Sequence, residues 1–183
     1  MPTLQFLAFY QVLEFYFHRY LRRKSEQEIR NLLEEEPFDK LREVDKLRLM
    51  ETIRLKYEGS KKLGVNEPQM LEIVVKECVS PLELRRFLID NDERYDFFGS
   101  NTNPKKISNK DLPLFDARLD LRPNVAERIY DIRCRIVHAK QGFEDQGPLL
   151  PTDPEAQYLR HDIDLVRYLA QMALRMSRRP LQI

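Results

Sequence analysis

Apolar side chains recur along this chain at helical spacing, and short polar breaks carrying glycine or proline separate one periodic run from the next. From about Thr3 to Leu21, residues Phe6, Leu7, Phe9, Tyr10, Leu13, Phe15, Tyr16, Phe17 and Tyr20 fall around nearly the whole circumference of a helix. That distribution predicts a central helix buried by several neighbours. Ser25 with Glu28 reads as a capping box opening a second helix over Ser25 to Glu36, which Pro37 stops. Phe38 to Tyr57 follows, with Leu41, Val44, Leu47 and Leu55 at helical spacing and oppositely charged i,i+4 neighbours on the outer face, the pattern of a solvated amphipathic helix.

Asn66 followed by Pro68 signals a helix start through Met70, Leu71, Val74 and Val75. Ser80, Pro81 and Glu83 signal another through Leu84, Phe87 and Leu88. From about Asn91 to Arg122 the periodicity dissolves into Asn, Ser, Pro, Asp and Gly with scattered Ile107, Leu112, Leu114, Phe115 and Leu119, and irregular stretches of that length are either functional or mobile. Helical spacing returns over Pro123 to Gln141, ended by Gly142, and again after the Thr152, Asp153, Pro154, Glu155 start through to about Ser177. No run alternates β-branched and polar residues for more than a few positions. The expected fold is therefore all-α: a single bundle of about six to seven helices with a long irregular loop around residues 91–122. The 183 residues suit one domain, residues 1–183, which has the form of a unit that a longer protein can also carry.

Charge changes this picture mainly by exclusion. Lys and Arg total 31 against 30 Asp and Glu, so any polyanion site must be a local patch. Arg22, Arg23 and Lys24, and later Arg175, Arg178 and Arg179, are short basic clusters suited to helix C-termini or to a nucleic-acid backbone. Cys78 and Cys134 are the only cysteines and belong to no metal-binding pattern, which fits a reducing cytoplasm and argues against a disulfide framework or a structural metal. The apolar opening, Leu4 to Leu21, is interrupted by Gln5, Gln11, Glu14, His18 and Arg19, and reads as neither a membrane span nor a signal peptide. No glycine-rich phosphate loop occurs, so a nucleotide cofactor is not expected. Glu14 and His18 form an i,i+4 pair that reads as a local ion pair or hydrogen bond.

The chemistry concentrates between residues 129 and 139, Ile-Tyr-Asp-Ile-Arg-Cys-Arg-Ile-Val-His-Ala. On a helix, Val125, Ile129, Ile132 and Ile136 form a narrow apolar stripe. Glu127, Asp131, Cys134, Arg135 and His138 lie opposite, and Arg133 sits at the stripe's edge, about 140° from His138. One helix alone does not aim both side chains at a point. Either Arg133 caps and packs, or its long side chain reaches a site built with another helix or a second protomer. His138 near a helix C-terminus is tuned toward imidazolium, which suits proton transfer near neutral pH.

Arg133, four intervening residues and His138, in this apolar frame and followed by a loop and one last long helix, resemble the signature of HEPN domains, and the local phrase is most similar to the Apea-like branch. The likeness covers about Val125 to Ala139, with looser agreement of the following helix and the aromatic first helix. It implies an all-α, commonly dimeric bundle in which Arg and His of two protomers face a shared cleft. Many such domains are metal-independent endoribonucleases of toxin, defence or RNA-processing systems, and others are non-catalytic scaffolds or partner-binding modules. Carried onto this chain, the resemblance implies Arg133 and His138 as the catalytic pair and RNA as substrate. It also implies a homodimer or a protein partner and no cofactor, and the interrupted apolar opening already points to no membrane. Arg135 and Lys140, with Arg128, would supply phosphate contacts beside the pair. One position departs from the pattern: active members usually carry a polar residue, often Asn, directly after the Arg, where this chain has Cys134, a poor hydrogen-bonding substitute for an amide.

Overall fold

The computed structural model describes residues 1–34, 38, 39, 41–59, 66–99, 107–137 and 147–177, and among these it is all-helical, with no strand. The helices are α1 (Pro2–Glu34), α2 (Glu43–Gly59), α3 (Glu67–Cys78), α4 (Pro81–Ile89), α5 (Asp92–Gly99), α6 (Arg122–Val137) and α7 (Arg160–Ser177), with a 3₁₀ helix at Pro154–Leu159 leading into α7.

The core lies where α1, α3, α6 and α7 meet. α1 contributes Phe6, Tyr10, Leu13, Phe17 and Tyr20, all 5% exposed or less, and α3 contributes Leu71, Val74 and Val75. α6 adds Val125, Ile129 and Ile132, and α7 adds Leu165, Val166, Leu169 and Ala173. The apolar stripe expected on α6 is thus the face it buries. On α1 the sequence suggests burial all round, whereas the structure buries one broad side, leaving Phe15 76% and Leu4 58% exposed. α1 is central because α3, α6 and α7 all pack on it, but they cover only that side.

Helix starts follow local chemistry closely at two places. The Asn66 carboxamide oxygen accepts the Gln69 N–H at 3.1 Å, and Pro68 in the first turn has no donor to leave unsatisfied. Ser80 and Glu83 form a complete capping box, with the Glu83 N–H on Ser80 Oγ at 3.2 Å and the Ser80 N–H on Glu83 Oε2 at 3.1 Å. α4 then docks on α7 through a Phe87–Tyr168 ring stack at 4.1 Å.

Three expectations are corrected. α1 runs through Ser25 without a break, because no glycine or proline interrupts Leu21 to Ser25 and Arg22, Arg23 and Lys24 are all good helix formers. α2 begins at Glu43 rather than Phe38: the Asp39 carboxylate accepts the Leu41 N–H at 2.8 Å and its carbonyl accepts the Arg42 N–H at 2.9 Å, a turn that precedes the helix. The segment predicted irregular from Asn91 contains α5, started by the Asn91 side chain accepting the Arg94 N–H at 2.8 Å and anchored by buried Phe97 and Phe98.

Residues 107–121 are irregular but pinned. Ile107, Leu112, Leu114 and Leu121 are buried, and arginines from the surrounding helices take up the strap's carbonyls. Arg85 donates to the carbonyls of Leu114, Asp116 and Leu119, and Arg128 and Arg135 hold the strap's beginning. Among the described residues no helix is long and apolar enough to cross a membrane.

Candidate functional site

α6 carries three of the arginines singled out by the sequence, and the structure sends them to different places. Arg128 is 1% exposed. Its guanidinium grips Asp162 of α7 in a two-pronged pair, Nε to Oδ1 at 2.7 Å and Nη2 to Oδ2 at 3.1 Å. Nη1 donates to the carbonyls of Lys110 at 2.9 Å and Ser108 at 3.4 Å, and the cation lies 5.2 Å from the Phe98 ring centre. Arg135, 6% exposed, donates to the carbonyls of Gly147 at 3.0 Å and of Ile107, and meets Glu155 at 3.4 Å. The expectation that Arg128 and Arg135 contact phosphate is therefore corrected. Both are interior cations that tie α6 to the strap, to α7 and to the segment leading into it.

Arg133 differs. It leaves the edge of the apolar stripe and reaches the junction of α6 with α1 and the start of α3, where its side chain is 16% exposed. Nε meets Glu67 Oε1 at 2.9 Å, Nη2 lies 3.8 Å from Glu14 Oε1, and the cation stands 5.9 Å from the Tyr10 ring centre. The Tyr10 hydroxyl donates to the same Glu67 oxygen at 2.9 Å. Its side chain thus reaches across to carboxylates on two other helices.

The carboxylates of this cluster also act on each other. Burial raises the Glu14 pKa above its ordinary value, the Glu67 charge and a hydrogen bond between the two side chains raise it further, and Arg133 opposes them. Burial first and Glu67 second raise the Tyr10 hydroxyl well above the ordinary phenol range. Tyr130, one turn before Cys134 on α6, is pushed up to about 12, chiefly by its hydrogen bond with the Cys134 thiol. Cys134 is 5% exposed.

His138 and Lys140 lie outside the described residues, as do Arg178 and Arg179. Glu67 and Tyr10 carry no sequence signal as site residues: Glu67 sits inside a helix-start phrase and Tyr10 inside an apolar run. Glu14 carries a faint one, as the lone acid in the aromatic part of α1. The local pairing with His18 expected for it gives way to a partner on another helix, and His18 is exposed.

The cluster formed by Tyr10, Glu14, Glu67, Tyr130 and Arg133 thus sets a planar, bidentate-capable donor beside acidic and hydroxyl groups at a half-open helix junction. It has the parts to hold an anion and to move a proton. Comparison of the chain with protein-family models, with curated proteins and with solved structures returns no match.

Proposed function

We propose that this chain is a HEPN-type helical domain that cleaves RNA without a metal, working as a homodimer in a bacterial defence or toxin-like setting. The observation that carries the reading is the division of labour on α6. Arg128 and Arg135 are committed to the interior, while Arg133, the arginine of the Arg-x4-His phrase, is directed to a partly open polar junction. The all-helical fold, with α7 following α6 as the last described helix, is consistent with it.

RNA supplies its own nucleophile. The 2′-oxygen bonds to the adjacent phosphorus and the 5′-oxygen leaves, giving a cyclic phosphate end and a 5′-hydroxyl end. The protein need only take the 2′ proton, return one to the leaving oxygen and stabilise the phosphorane charge. His138 is assigned the proton transfers and Arg133 the charge, a role suited to its forked donors.

The experiment is cleavage of single-stranded RNA by purified protein in the presence of EDTA. Wild type is expected to cut, and His138→Ala or Arg133→Ala to lower the rate by about a hundredfold or more with an unchanged helical spectrum. Cleavage at equal rate in both variants would remove the pair from the mechanism.

A second reading, a non-catalytic dimerisation or protein-interaction module of a larger assembly, is favoured by a specific feature. The Arg133 guanidinium is already engaged by Glu67 and neighboured by Glu14, and Cys134 stands where active members of the resembled family usually carry a polar residue, often Asn. It predicts a stable complex that survives Arg133→Ala, with no cutting above background in wild type.

A further inference from the structure

Resting on that functional reading, we propose that Glu67, backed by Glu14 and Tyr10, is a clamp standing in for substrate phosphate on Arg133, so that a phosphodiester binds by displacing Glu67. Glu67 and Glu14 are then positioning residues that hold Arg133 until substrate arrives.

The geometry has three parts. First, a carboxylate and a phosphate present the same pair of anionic oxygens to a guanidinium, and Glu67 occupies that position at 2.9 Å from Nε. Second, Glu67 is itself anchored, because its Oε1 also accepts the Tyr10 hydroxyl at 2.9 Å, and Tyr10 is 1% exposed and fixed in the core. Third, Glu14 lies 3.8 Å from the same cation, and the Glu67 charge raises its proton affinity. With both carboxylates ionised the trio carries a net negative charge that repels RNA. With Glu14 protonated it is neutral.

The direction of the pH effect follows. Arg133 is the group that lowers Glu14's proton affinity, whereas burial and Glu67 raise it. A phosphate that neutralises Arg133 removes the lowering influence, so Glu14 holds its proton more tightly in the complex than in the free protein. Binding then takes up a proton and must strengthen as pH falls. The gain levels off once pH drops below the free protein's Glu14 pKa, which itself lies above the ordinary 4.5. The other titratable groups facing the pair, Tyr10 from α1 and Tyr130 from α6, are both raised and stay protonated throughout.

The test measures binding of a fluorescein-labelled single-stranded oligoribonucleotide between pH 5 and pH 8 in a His138→Ala background, which blocks cleavage and removes the imidazole's own titration. Adding Glu67→Gln is expected to tighten binding at neutral pH by about tenfold and to flatten the pH dependence. Tyr10→Phe, which frees Glu67 without removing its charge, is expected to act in the same direction more weakly. Once Arg133→Ala is in place, adding Glu67→Gln should no longer give that tenfold gain, since no cation remains to be competed for. Circular dichroism checks that each variant is folded. Equal affinity with and without Glu67→Gln, an unchanged pH slope, or no RNA bound by any of the proteins overturns the clamp. Cleavage by wild type alongside equal affinities would discard the clamp and keep the nuclease. A clamp that behaves as stated in a protein that never cuts would keep the clamp and discard the nuclease.

Discussion

A guanidinium has five donors, and what accepts them decides whether an arginine builds the fold or serves a ligand. Arg128 shows the first outcome: two bonds to Asp162 and two to strap carbonyls, from a side chain 1% exposed. Removing it leaves the Asp162 carboxylate, 0% exposed, without its cation, and costs about 3–5 kcal/mol. For a domain of this size Arg128→Met is therefore expected to lower the melting temperature by about 10 °C, read by thermal circular dichroism. Adding Asp162→Asn removes the stranded charge and should recover part of the loss. Recovery stays partial because the carbonyls of Ser108 and Lys110 still lose their donor. A single variant as stable as wild type would contradict the structural role assigned to this residue. Sequence does not separate Arg128 from Arg133. Both lie beside apolar positions of one helix, and only the elements packed around α6 determine which becomes interior.

At the scale of elements, the sequence is readable where a start signal is complete within a few residues. The Ser80–Glu83 box depends only on local atoms, and the structure forms it at the expected residues. Ser80→Ala is expected to lose about 1 kcal/mol of stability, seen as a lower urea midpoint at unchanged slope, whereas Glu83→Gln keeps an acceptor for the Ser80 N–H and should cost less. If Ser80→Ala is as stable as wild type, the reciprocal bonds contribute nothing. The same Ser-x-x-Glu pattern at Ser25 misleads, because a cap signal states that a helix can start and not that the preceding one has stopped; without a breaker after Leu21 the chain continues. α5 is hidden for the opposite reason. Eight residues offer too short a window for periodicity, and Phe97 and Phe98 gain their place from neighbours distant in sequence. The cluster at Arg133 joins α1, α3 and α6, so one of its members can be read from a local phrase and the others cannot.

Across the whole molecule, burial is unevenly shared, and α2 is the outlying element. Its chief packing partner is α1, and Val44, Leu47 and Met50 are each more than 60% exposed, as is Leu41 just before it. α1, α3, α6 and α7 instead share one continuous apolar core. Local opening is governed by the apolar contacts that must be broken, so α2 should open at far lower free energy than the four core helices. Native-state hydrogen exchange is expected to show the core helices' slowest amides, around Leu13, Val74, Ile129 and Leu169, exchanging together near the global unfolding limit. Amides of α2 should exchange faster by at least about two orders of magnitude, a difference of roughly 3 kcal/mol. Protection of α2 equal to that of α7 would mean that its apolar face is covered in solution. Dilution would then identify the cover: protection that falls as protein concentration falls comes from another copy of the chain, whereas protection independent of concentration requires α2 to fold back onto its own domain.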